Sequence, residues 1–214
     1  MFKIIVIILF KMGRDPVKLL LRTDVDLARI ISNVGKYSIE IHDNPFESLV
    51  RSIIYQQLAG KSANAIFQRF IGFYGNSFPL PNQIVDTDAM ILRKIGLSYK
   101  KITYVKDLST KITMGELLLD KLVNLSDEQV ISELVKVKGI GRWTAEMFLI
   151  FCLKREDVFP LSDLGIKKAI KLLYNLDTLP SNEFIVSKSA KWRPYRSIAA
   201  WYLWKSLNNF TTIG

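Results

Sequence analysis

From Asp15 onward the apolar residues recur every three or four positions and almost nowhere alternate strictly, a pattern that predicts helices and no sheet. The clearest stripe is Phe46, Leu49, Val50, Ile53, Ile54 and Leu58. Its start is marked: Asn44 is placed to cap it, Pro45 takes the first helical position, and Glu47 stands where a capping box puts an acid. Further helices are predicted from Ser62 to Phe73, from Thr87 to Ile95 with Gly96 as the stop, and from Tyr99 to Met114 with Gly115 as the stop. Ser126 and Gln129 repeat the capping-box spacing ahead of Val130, Ile131, Leu134 and Val135, and this helix breaks at Gly139. The next one carries Ala145, Phe148, Leu149 and Cys152 on one side, so a short glycine hairpin joins two helices. Later helices begin near Asp163 and near Pro194, separated by a polar stretch around Asp177 to Ser189. The expected fold class is all-α, without internal repeats or low-complexity tracts.

The first ten residues, Met1 to Phe10, are apolar except for Lys3, a run far below the roughly 20 residues that span a bilayer. No small-residue cleavage site follows in Lys11 to Asp15, so a β-branched strand or an unstructured extension is expected there, with Met12 as an alternative start. A length of 214 residues suffices for one domain or two small lobes, and a hydrophobic content of 49% rules out disorder. Thirty Lys and Arg against twenty Asp and Glu leave a formal charge of +10, which suits nucleic acid or an anionic membrane surface without choosing between them. The single cysteine, Cys152, excludes an intrachain disulfide and a cysteine-built zinc or four-cysteine iron-sulfur site, and is read as a packing residue. The single histidine, His42, argues against a histidine metal centre or a Ser-His-Asp triad.

The chemistry concentrates in Val137-Lys138-Gly139-Ile140-Gly141. Its two glycines permit backbone angles that a side chain forbids, and Ile140 is placed to plug the turn into the core. Peptide N–H groups at the start of the following helix then point outward, where they can hold a phosphate oxygen. An ordinary tight αα turn also needs glycine for sterics alone. Arg142, Thr144 and the net positive charge favour phosphate binding by Gly139 and Gly141, with Lys138 and Arg142 as side-chain contacts. Lys167, Lys168 and Lys171 form a basic face that is by default solvated.

Four separated stretches share an order with a known family: Ser52 to Lys61, Val137 to Ala145, Asp157 to Gly165 and Trp192 to Ser197. On these motifs the chain resembles the helix-hairpin-helix DNA glycosylase superfamily, and within it the DNA-3-methyladenine glycosylase II (AlkA-like) family, from Asp15 to Leu207. The resemblance implies two helical lobes, one of residues 41–153 with the hairpin and one of residues 1–40 and 154–214, with the active-site cleft between them. The extra N-terminal β domain of some relatives is not expected.

The resemblance also implies roles. Asp163 is the catalytic carboxylate, although an aspartate there also suits a helix cap. Trp143 stands where bifunctional relatives carry a lysine nucleophile, which implies base release without strand cleavage. Trp143, Trp204, Met147 and Tyr55 correspond to the base pocket, and Gln57 or Leu58 to the wedge that fills the gap left by a flipped base. Carbonyls of Val135, Val137 and Ile140 are candidates for a monovalent cation, with no cofactor in the chemistry. Arg193 and Arg196 are expected to pair with carboxylates rather than with DNA. The implied function is removal of alkylated bases from double-stranded DNA by a monomer with no membrane association, cytoplasmic and nucleoid-associated if the source is prokaryotic. A glycosylase for uracil, a deaminated purine or 8-oxoguanine, and a non-catalytic DNA-binding module, remain the alternatives.

Overall fold

The computed structural model describes residues 15–207; the apolar opening and the alternative start at Met12 lie outside the described residues. Among the described residues there are helices and turns and no strand. They divide into two compact units, one running to Ile39 and resuming at Arg155, the other Glu40–Lys154. The first unit opens with α1 (Pro16–Thr23) and α2 (Val25–Val34). The second holds α3 (Pro45–Tyr55), α4 (Gly60–Phe73), α5 (Pro81–Asp86), α6 (Ala89–Ile95), α7 (Tyr99–Thr113), a 3-10 segment Leu119–Asn124, α8 (Asp127–Leu134) and α9 (Arg142–Phe151). The chain then completes the first unit with α10 (Leu164–Leu173), α11 (Asn182–Ser189) and α12 (Arg196–Ser206).

In the Glu40–Lys154 unit, α3 is the central element, packed against α4, α7 and α9. Asn44 Oδ1 accepts the N–H groups of Phe46 and Glu47, both at 3.1 Å, so two of the donors orphaned at a helix start are satisfied. Leu49, Val50, Ile53 and Ile54 are fully buried. Leu58 does not continue that stripe: α3 ends at Tyr55 and Leu58 is 39% exposed in the loop beyond it. The helix expected from Thr87 to Ile95 is α6, which Asp88 caps through Met90 N and which ends at Gly96 as predicted; α5, just ahead of it, had not been expected. Ser126 and Gln129 form the reciprocal capping box their spacing predicts. The helix they start stops at Leu134, before Gly139, which leaves a longer turn ahead of α9.

In the other unit α12 is buried along most of its length and packs on α2 and α10. It starts at Arg196 rather than Pro194, after a cis Arg193–Pro194 peptide. The polar stretch expected up to Ser189 contains α11, capped by Ser181 Oγ on Phe184 N. Its apolar residues Phe184, Ile185 and Val186 are consecutive, and of the three only Ile185 is buried, so no helical period was there to be read. Among the described residues no helix is long and apolar enough to cross a membrane.

Asp24 ties this unit together. Its carboxylate is buried and accepts from Trp192 Nε1 at 2.7 Å, Tyr174 Oη at 3.3 Å and the N–H groups of Asp26 and Leu27, with Lys191 Nζ at 2.9 Å. Burial pushes its pKa up, but Lys191, Trp192 and the Leu27 N–H outweigh that and hold it below the ordinary carboxylate value. A depressed folded pKa stabilises fully above the unfolded pKa, and the contribution is lost as pH falls through the folded one. Asp24→Asn should therefore destabilise the protein by about 2 kcal/mol at neutral pH. In urea unfolding the gap to wild type should narrow from pH 7 towards pH 3; a gap that stayed constant would show that the charge on Asp24 contributes nothing.

Candidate functional site

Asp163 is 7% exposed and stands at the N-cap of α10, where its Oδ1 accepts Ile166 N at 2.7 Å. The same oxygen accepts Trp204 Nε1 at 2.9 Å. The carboxylate is thus a helix cap and also the partner of a buried indole, and a negative charge at this helix end is favoured by the helix dipole. Trp204, expected as an aromatic wall of the base pocket, is 1% exposed, and its N–H is directed at Asp163. Gly165 makes this approach possible. A Cβ there would lie 3.0 Å from Asp163 Oδ1 and 3.2 Å from Trp204 Cδ1, tighter than ordinary contact. Gly165 closes the Asp157 to Gly165 stretch, but no local spacing pairs it with Trp204, which is distant in the chain.

In the Glu40–Lys154 unit the hairpin enters α9. Gly139 has φ +83° and the Tyr104 ring fills the space a side chain would need, so glycine is required there twice over. Gly141 differs from the expectation: its φ is −97° and a Cβ would meet nothing, so no steric rule demands glycine. No side chain caps α9, and Gly141 leaves the approach to its first turn uncluttered. Ile140 is 4% exposed, as a core plug should be.

The expected phosphate contacts separate into those that are presented and those that are not. Lys138 keeps a largely exposed side chain, with Nζ 3.8 Å from Asp107. The Arg142 guanidinium is instead engaged by carboxylates, with Nη1 3.0 Å from Glu128 and Nε 3.2 Å from Glu146. That pairing raises the Arg142 pKa and lowers that of Glu128, so a phosphate reaching this side chain would first have to displace Glu128. Thr144 is 5% exposed, which leaves its peptide group rather than its hydroxyl for any ligand. Val137 O accepts Ile140 N at 3.1 Å and retains a second lone pair. A set of neutral carbonyls from Val135, Val137 and Ile140 fits a monovalent cation by its chemistry.

A cavity of about 710 Å³ opens in the same unit. Tyr55, Trp143 and Met147, the base-pocket candidates, line it together, and so do Gln57 and Leu58, the wedge candidates. Gln57 is held at φ +57°, unusual for a residue with a side chain and of the kind that collects at functional sites. Tyr55 Oη donates to Asn64 Oδ1 at 3.2 Å. Gln56, adjacent to the wedge, was missed as a contact of the hairpin: its Nε2 donates to Gly139 O at 2.8 Å.

Other expectations resolve simply. Arg196 Nε and Arg193 Nη1 meet Asp157 at 2.7 and 2.8 Å, so both arginines pair within the fold. Cys152 is buried, and burial pushes its thiol up to about 11, which suits packing and not reactivity.

The model of the HhH-GPD superfamily of base excision DNA repair proteins matches residues 50–194. The chain is 40% identical over 189 residues to DNA-3-methyladenine glycosylase 1 of Schizosaccharomyces pombe, spanning 86% of this chain and 82% of that protein. The solved structure of the S. pombe 3-methyladenine DNA glycosylase in complex with abasic DNA has a TM-score of 0.81 at 38% identity, over 89% of this chain and 95% of that one. A DNA-3-methyladenine glycosidase from Bacillus halodurans gives 0.83 at 34% identity, over 92% and 91%. A match that runs through both the hairpin and Asp163 is a statement about the fold and not about one motif: the chain belongs to the HhH-GPD superfamily of base excision DNA repair proteins.

Proposed function

We propose that the chain is a monofunctional DNA glycosylase that removes alkylated bases of the 3-methyladenine type, one copy acting on duplex DNA by hydrolysis of the N-glycosidic bond. The observation that carries this reading is Asp163, a nearly buried carboxylate whose position is fixed by an indole N–H and a helix N-terminus. An alkylated purine is already cationic, so its bond to the sugar breaks with little help from a proton donor. The sugar left behind resembles an oxocarbenium ion, as in glycoside hydrolysis, and a carboxylate in a low-dielectric setting stabilises it and guides the attacking water. Relatives named DNA-3-methyladenine glycosylase at this level of identity support the substrate class.

The Glu40–Lys154 unit supplies the recognition. Trp143 and Tyr55 offer aromatic faces to a cationic base, an attraction of about 1–2 kcal/mol when desolvated. Lys138 and the peptide groups of Gly139, Gly141 and the first turn of α9 grip the backbone phosphates. A monovalent cation on the Val135, Val137 and Ile140 carbonyls would add positive charge to that grip. Gln57 or Leu58 fills the gap left by the extruded base.

Asp163→Asn should bind lesion duplex within about twofold of wild type and release base about 10²- to 10³-fold more slowly in single turnover. A wild-type protein that binds but releases nothing would instead leave the non-catalytic module. With tryptophan at 143, borohydride should trap no covalent adduct with lesion DNA; an adduct would overturn the monofunctional reading. Gly165→Ala, which pushes a methyl between indole and carboxylate, should slow release by roughly ten- to a hundredfold with little loss of duplex binding. Unchanged release would mean that the Trp204–Asp163 contact is dispensable.

A further inference from the structure

Two loops of the Glu40–Lys154 unit are expected to touch DNA, and one helix face holds both of them. Lys101, Tyr104 and Asp107 follow one another at three-residue spacing along α7, which sets them on one ridge of the helix. Lys101 Nζ donates to Ile54 O at 2.6 Å, in the last turn of α3, immediately before the wedge loop. It thereby satisfies a carbonyl that the helix end leaves orphaned, and places a positive charge at the negative end of the helix dipole. Burial lowers the Lys101 pKa below the ordinary lysine value, so this ammonium is held away from bulk water. Tyr104 packs its ring where Gly139 lacks a side chain. Asp107 Oδ2 accepts Lys138 N at 2.9 Å, anchoring the hairpin backbone one residue earlier. Gln56 then joins the two loops directly through Gly139 O.

We propose that the α7 ridge of Lys101, Tyr104 and Asp107, together with the Gln56–Gly139 hydrogen bond, is a positioning device that fixes the wedge loop relative to the phosphate-gripping hairpin. It sets how well the protein opens the base stack, separately from how tightly it binds DNA. The inference rests on the wedge and hairpin roles proposed above, but not on the chemistry at Asp163. Phosphate contacts on the hairpin fix the protein's register on the backbone. A wedge tied rigidly to that hairpin then enters the stack at one place, and a wedge on a loose loop spends part of its insertion energy on ordering. The positive φ of Gln57 is consistent with a loop whose shape its supports enforce. Gln56, Lys101 and Tyr104 also line the cavity, but the polar ends of Gln56 and Lys101 are engaged by the Gly139 and Ile54 carbonyls, so their action runs through the loops they hold.

The test separates insertion from binding and from chemistry. A duplex carries a stable tetrahydrofuran abasic analogue with 2-aminopurine beside it; anisotropy reports affinity, and 2-aminopurine fluorescence reports disturbance of the stack. Wild type should change the fluorescence on binding. Gln56→Ala and Lys101→Met should bind within about threefold of wild type and lose at least four-fifths of the fluorescence change, while Lys101→Arg, which can still donate to the Ile54 carbonyl, should retain most of it. In single-turnover excision the first two variants should be slowed at least tenfold when the lesion is paired, and less than threefold when it lies in a single-stranded oligonucleotide. Variants that disturb the stack as wild type does, or that lose rate equally on both substrates, would overturn the proposal, as would a wild type that leaves the fluorescence unchanged. A wild type that disturbs the stack but releases no base would overturn the glycosylase reading and leave the positioning device standing.

Discussion

The account depends on one oxygen atom. Asp163 Oδ1 accepts both the Ile166 N–H, which begins α10, and the Trp204 indole N–H, which comes from α12. A carboxylate this buried costs free energy unless donors compensate it, and here both donors belong to packed helices. Gly165 is small because the space beside that oxygen is taken by the indole. The burial of α12, the spacing of Asp163 from Gly165 and the indole at Trp204 are thus parts of one arrangement, which delivers a charge without needing mobile neighbours to hold it.

The Glu40–Lys154 unit solves a different problem, that of holding two short loops in a fixed relation. The hairpin is plugged into the core by Val137 and Ile140, but between them Gly139, against Tyr104, has no side chain to anchor it. There its backbone is held from outside, by Asp107 on Lys138 N and by Gln56 on Gly139 O. The loop after α3 is supported in the same way, by Lys101 on Ile54 O. Side chains of regular helices bear the loops, an economical way to make an irregular backbone precise.

Much of this was legible in the residues, and the failures have physical causes. Helix starts with Asn44 and Ser126 were readable because capping is local, completed within three residues. α11 was invisible because its apolar residues are consecutive and mostly exposed. Asp163 and the hairpin stood out, but Trp204 as a wall and Trp204 as a carboxylate donor look identical in sequence, and only burial separates them. Arg142 read as a phosphate ligand, although Glu146 four residues on was a visible competitor; Glu128, the closer partner, comes from α8. The Gln56 contact spans 83 positions, and no local pattern encodes it.

The central claim is that the Asp163 carboxylate stabilises positive charge on the sugar. A duplex bearing a pyrrolidine in place of the damaged nucleoside mimics that charge, and one bearing neutral tetrahydrofuran does not. Comparing their dissociation constants in wild type and Asp163→Asn isolates the carboxylate from every other DNA contact. Wild type should favour the pyrrolidine by at least tenfold, and the preference should vanish in the variant. Equal affinity for both duplexes in wild type, or a preference that survives the substitution, would contradict the account.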